Sequence, residues 1–121
     1  MRVLIVGFGV QGRKRSKLLG SMFVGSVDPK AKDATYENIS LVPKDSYDVV
    51  FLCVPDDQKM ELIDFCLQEG KHILVEKPIL LEDLSKMKEL EVRANKSNTY
   101  IYTAYNHRFE PHIKTLKEII D

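Results

Sequence analysis

Apolar positions in this chain fall into short continuous runs that alternate with longer stretches of helical spacing, a pattern that predicts strands alternating with helices. Met1–Val6 reads as a buried strand, Gln11–Leu19 as a helix closed near Gly20, and Phe23–Val27 as a second strand stopped by Asp28-Pro29. A further strand is predicted near Ala34–Glu37. Only about six residues separate it from the second strand, whereas a parallel crossover takes a dozen or more, so no full helix fits between them. Asn38–Leu41 reads as a brief turn before Pro43. Val49–Val54 is apolar throughout, as expected of a central strand covered on both faces. Residues 58–69 place Met60, Ile63, Cys66 and Leu67 at helical spacing, with Gly70 as the stop. Ile73–Val75 is the next strand. Leu81–Lys96 is a helix whose Leu84, Met87, Leu90 and Ala94 form a core-facing stripe. Thr99–Ala104 is the last strand and His112–Ile120 a final amphipathic helix. Alternation of this kind is the signature of an α/β fold with a parallel sheet.

At 121 residues the chain accommodates one domain, and it shows no repeat, low-complexity tract or linker-like stretch. Its apolar share of 44% and charged share of 30% are those of an ordinary globular protein. No apolar run approaches the ~20 residues of a membrane span, and the first residues are too short a run for a secretory signal. A cytoplasmic protein with no membrane partner is therefore expected. Cys53 and Cys66 lack metal or disulfide spacing and read as buried free thiols, while His72, His107 and His112 form no metal pattern. Net charge is zero but unevenly spread: residues 1–27 hold Arg2, Arg13, Lys14, Arg15 and Lys17 and no acid, so they carry +5, offset by −5 in the remainder. Global neutrality argues against a nucleic-acid partner, and a locally basic end suits one anionic ligand. The run Arg13–Lys17 could be a nuclear-localisation or nucleic-acid patch; a solvated helix face is the preferred reading.

Gly7-Phe8-Gly9-Val10-Gln11-Gly12 is a G-x-G-x-x-G string that directly follows a hydrophobic strand and opens a helix. In that setting Gly7 allows the tight turn, Gly9 lets backbone approach a pyrophosphate, and Gly12 lets helix pack on strand. Unpaired amides and the helix dipole then attract the phosphates. Asp28 ends the second strand, 21 residues past Gly7 and 16 past Gly12, where a ribose-binding acid is expected. Its carboxylate can accept from both ribose hydroxyls and would repel a 2′-phosphate, which favours NAD over NADP; Lys30 softens that preference. The fold expected is thus a Rossmann-type, doubly wound parallel sheet in a single domain. Two plainer explanations stand beside this one. Asp28 alone could be a strand-ending turn acid before Pro29, and the glycines a tight turn with no ligand.

Further along stand Cys53-Val54-Pro55, Gly70-Lys71-His72-Ile73-Leu74-Val75-Glu76-Lys77-Pro78 and Tyr105-Asn106-His107-Arg108-Phe109. With the glycine motif and Asp28, these segments resemble the Gfo/Idh/MocA family of sugar and inositol oxidoreductases over nearly the whole chain. Each follows a predicted strand, at the sheet edge where ligands of open α/β sheets bind. The resemblance implies that Lys77 lies near the nicotinamide and the substrate hydroxyl, orients that hydroxyl and joins in proton relay. It implies that Glu76, Val54 and Pro55 line the cofactor site, that Asn106 and Arg108 sit at its nicotinamide end, and that the Lys77–Pro78 bond is cis.

The chain departs from the family in three places. Val54 stands where a threonine is usual, with Asp56 and Lys59 in place of an asparagine and a histidine, so Lys59 is assigned no role. The stretch between Asp28 and Asp48 is compressed, which shortens one wall of the adenosine pocket. The family's second domain, which supplies substrate contacts, the aspartate/histidine acid–base residues and the oligomer interface, is not expected within residues 1–121. The resemblance therefore implies an isolated or truncated cofactor domain, residues 1–121, of a homo-oligomeric enzyme acting on a sugar, inositol or nucleotide-sugar. The alternatives are a non-catalytic dinucleotide-sensing module and an interaction domain whose glycine turn holds nothing.

Overall fold

A computed structural model describes residues 1–79, 84–105 and 110–120. Its core is a five-stranded, wholly parallel sheet in the order β2-β1-β3-β4-β5. The strands are β1 (Val3–Val6), β2 (Phe23–Val27), β3 (Val49–Leu52), β4 (His72–Glu76) and β5 (Ile101–Ala104). The helices are α1 (Val10–Leu19), α2 (Asp56–Gln68), α3 (Leu84–Lys96) and α4 (Pro111–Ile120). The α/β fold read from the sequence is the fold observed. Because all strands run the same way, the segments after β1, β2, β3 and β4 converge on one sheet edge, and there the candidate residues stand.

Burial follows position in the sheet. All four residues of β1 are buried, flanked by β2 and β3. In β3 only Val50 and Leu52 are buried; Val49 and Phe51 are partly exposed, so the strand is not fully covered on both faces as its apolar run suggested. Ile63, Cys66 and Leu67 of α2 close over this sheet, each aliphatic side chain contributing about 1.5–3 kcal/mol by burial. Both cysteines are free thiols, Cys66 buried and Cys53 only partly so.

Two further sequence expectations are corrected here. Residues 34–37 do not form a strand: Tyr36 makes a single parallel bridge to Val27 and the chain turns away. The loop is too short for a crossover helix, so the returning segment can pair at one point only. That point is useful nonetheless. Tyr36 N–H donates to the Ser26 carbonyl at 2.9 Å and its carbonyl accepts from Asp28 N–H at 3.0 Å, which pins the backbone of Asp28. A short 3₁₀ turn follows at Ile39–Leu41, as the brief turn predicted there suggests. Second, Met87 is 55% exposed, and of the predicted α3 stripe Leu90 and Ala94 reach the core. Helix α4 forms where the final amphipathic helix was expected, and it buries none of its residues; Leu116, Ile119 and Ile120 are exposed. No helix among the described residues is long and apolar enough to cross a membrane.

Candidate functional site

The turn after β1 is shaped by two close backbone approaches. Gly7 has φ +90°, and a Cβ there would lie 2.2 Å from the Cys53 carbonyl oxygen. A Cβ on Gly12 would lie 2.1 Å from the Gly7 carbonyl oxygen, so α1 could not sit this close to the strand with any other residue. Gly9 is different. Among the described residues, no heavy atom lies within 4 Å of the position its Cβ would take. Packing within the chain therefore gives no reason for glycine at position 9, whereas a ligand approaching the backbone does.

Gly9 caps α1, with no side-chain cap and no acid in the first turn. The first amides of the helix are thus left for an external acceptor, at the positive end of its dipole. Val10 and Gln11 are exposed beside it, and Gly12 is buried beneath. Gly7, Phe8, Gly9, Asp28, Val54 and Pro55 share the lining of one cleft of about 440 Å³ at the sheet edge.

Asp28 faces the glycine turn. Its Oδ2 accepts from Phe8 N–H at 2.9 Å, and its Oδ1 accepts from the N–H groups of Lys30 and Ala31 at 2.8 and 3.2 Å. Partial burial pushes this carboxyl up, but the three backbone donors outweigh it and hold it below the usual carboxylate value. The group is therefore ionised at neutral pH. Both readings of Asp28 meet here: it organises the turn before and after it, and it presents a fixed negative charge to the cleft.

Glu76 and Lys77 stand further along the same edge, at the end of β4. Glu76 is paired with Arg15 of α1, whose Nε and Nη2 lie 2.7 and 2.5 Å from Oε1; the two side chains are only 15% and 20% exposed. The run Arg13–Lys17 is a solvated face at Arg13, Lys14 and Lys17, as expected, and departs from that reading at Arg15 alone. Arg13 is exposed but held by Asp33, with its guanidinium 4.6 Å above the Phe8 ring, and Arg15 turns inward. Lys77 is exposed, and the Lys77–Pro78 bond is cis. Asn106 and Arg108, with His107 and Phe109, lie outside the described residues. Lys59, to which the sequence assigned no role, is 3% exposed and donates from Nζ to Asp56 Oδ1 and to the Pro78 carbonyl, both at 2.7 Å. Burial and the neighbouring Glu76 charge push the Cys53 thiol up to about 11, although Arg15 works against them.

A family model described as an oxidoreductase family with an NAD-binding Rossmann fold matches residues 1–103. The chain belongs to the Gfo/Idh/MocA family. Among relatives of this Gfo/Idh/MocA chain, a myo-inositol 2-dehydrogenase of Thermotoga maritima is 28% identical over 81 residues, which is 67% of this chain and 24% of that protein. A 1-carboxy-3-chloro-3,4-dihydroxycyclohexa-1,5-diene dehydrogenase of Comamonas testosteroni is 34% identical over 84 residues, 68% of this chain and 20% of that protein. In fold it is similar to a UDP-N-acetylglucosamine 3-dehydrogenase of Acidithiobacillus ferrooxidans, with a TM-score of 0.84 and 21% identity over 98% of this chain and 43% of that one. The matched part of this chain spans about a quarter of the length of the curated relatives. The family is one of nicotinamide-dependent oxidoreductases.

Proposed function

We propose that this chain is the NAD-binding domain of an oxidoreductase that transfers hydride between the cofactor and a secondary alcohol of a sugar, inositol or nucleotide-sugar. The observation that carries the proposal is the open space around Gly9, at the start of α1 and in the cleft that Asp28 also lines. A structural turn requires Gly7 and Gly12, whereas no contact among the described residues requires Gly9.

The residues present fit a dinucleotide. Backbone N–H groups of the Gly9–Gly12 turn would receive its diphosphate, and Asp28 would accept from the adenosine ribose hydroxyls. A fixed carboxylate there disfavours a 2′-phosphate, so NAD is favoured over NADP. Val54 and Pro55 line the next part of the cleft, and Glu76, Lys77, Asn106 and Arg108 are assigned to its nicotinamide end. When bound, the nicotinamide supplies the hydride acceptor. The exposed amine of Lys77 orients the substrate hydroxyl and takes part in relaying its proton as the carbon is oxidised. In this reading residues 1–121 are the cofactor domain, and a second domain of a cytoplasmic homo-oligomer supplies substrate contacts. Inositol dehydrogenases among the relatives support the inositol part of that substrate class.

The test is the complete protein with NAD and myo-inositol, followed by NADH absorbance, with Lys77→Ala beside it. The substitution is expected to lower turnover by at least about 100-fold while leaving the NADH dissociation constant within about threefold. A sensing module would show no turnover to lose.

A further inference from the structure

Lys77 is flanked on both sides by contacts that the family motif does not account for. The residue before it, Glu76, is held by Arg15 of α1. The carbonyl of the residue after it, Pro78, accepts from the ammonium of Lys59 of α2 at 2.7 Å. Lys77 itself is exposed. Two cations from different helices thus fix its neighbours in the chain while Lys77 itself stays exposed.

The burial of Lys59 is the unusual part. Lysine is among the residues least often buried, because removing its charge from water is costly unless it is paired. Its side chain is 4% exposed, whereas Asp57 and Gln58 on the same first turn of α2 are exposed to solvent. An apolar residue of similar length would fill this space with no charge to desolvate. What lysine adds is a donor able to reach two acceptors at once, Asp56 Oδ1 and the Pro78 carbonyl. Asp56 neutralises the charge, and the Pro78 bond carries it to the segment that holds Lys77. That segment, residues 77–79, lies beyond the end of β4 and makes no ladder bond among the described residues. An error of about 1 Å in the placement of a reacting group can cost about 100-fold in rate, so a fixed carbonyl one residue away is a functional constraint.

We infer that Lys59 is a positioning residue for Lys77: its ammonium ties the Pro78 carbonyl to the start of α2 and so sets where the Lys77 amine meets the bound cofactor. The inference rests on the reading of Lys77 as the group that works at the nicotinamide end.

The experiment compares wild type, Lys59→Met, Lys59→Gln and Lys59→Arg in three measurements: NADH affinity by fluorescence, amide exchange at Lys77 and Ile79, and the rate at which Lys77 is acetylated by trace acetic anhydride with and without NADH. In wild type, NADH is expected to change Lys77 labelling by about tenfold. Lys59→Met is expected to speed amide exchange about tenfold and to reduce the NADH effect on labelling to within about twofold, with NADH affinity within about threefold of wild type. Lys59→Arg, which keeps charge and donors, restores labelling. Lys59→Gln carries the test if the methionine variant does not fold. The inference is overturned if a folded neutral variant retains the full NADH effect on Lys77, including the case where amide exchange alone is faster, which would make the contact a structural tie only. Absence of saturable NADH binding by wild type would instead overturn the cofactor reading, with the exchange measurement still reporting on Lys59.

Discussion

The backbone N–H of Phe8 donates to the Asp28 carboxylate across 2.9 Å, joining the glycine turn after β1 to the end of β2. This bond places a fixed anion beside the turn that opens α1, although Phe8 and Asp28 stand 20 residues apart in the chain. Lys30 and Ala31 N–H donate to the other carboxylate oxygen and fix its orientation.

The three glycines of the turn should separate under substitution. Gly12→Ala drives a methyl into the Gly7 carbonyl and should cost at least about 3 kcal/mol in stability. Gly7→Ala meets the Cys53 carbonyl and also holds alanine at positive φ, so it should cost at least as much. Gly9→Ala meets nothing and should stay within about 1 kcal/mol of wild type. Urea unfolding of the three variants checks the order.

Asp28 should make stability depend on pH in a defined direction. Its folded pKa is depressed, so its contribution is fully present above the unfolded carboxylate value of about 4 and is lost as pH falls through the lower folded value. Asp28→Asn should therefore be destabilising at pH ~7, and the gap to wild type should narrow as pH drops below about 4. Denaturation midpoints across that range test the sign. A gap that widens in acid contradicts it.

Removing Arg15 leaves Glu76 partly buried and unpaired, with an expected cost of about 1–3 kcal/mol. Glu76→Gln in the Arg15→Ala background removes the stranded charge and should recover part of that loss. A double-mutant cycle by chemical denaturation measures the coupling. Additive costs would mean the pair contributes nothing.

What could be read in the sequence was what is local. Runs such as Val49–Leu52 and the glycine string announce themselves within a few residues, and the offset to Asp28 follows from one strand–helix–strand unit. The false strand at 34–37 came from Thr35 and Tyr36, residues with strand preference held in a loop too short to use it. Arg15 and Lys59 were missed because cations on helices are ordinarily solvated. Their partners, Glu76 and Pro78, lie 61 and 19 residues away, and only the fold reveals them. Likewise helical spacing marks Met87 as apolar but cannot say whether another element covers it.

Both thiols should be inert in the folded protein. Burial, aided by nearby acidic charge, pushes Cys66 up to about 12 and Cys53 up to about 11, so neither is a thiolate at pH ~8. A disulfide reagent should react with both only after denaturant is added. Fast reaction of Cys66 under native conditions would mean that α2 opens from the sheet far more readily than its packing indicates.

Fluorescence titration with NADH of wild type and Gly9→Ala tests the central claim most directly. Saturable binding by wild type, weakened at least about tenfold (about 1.4 kcal/mol) in a Gly9→Ala protein of unchanged stability, is the expected result. Equal binding by the two, or none by wild type at millimolar NADH, would contradict it.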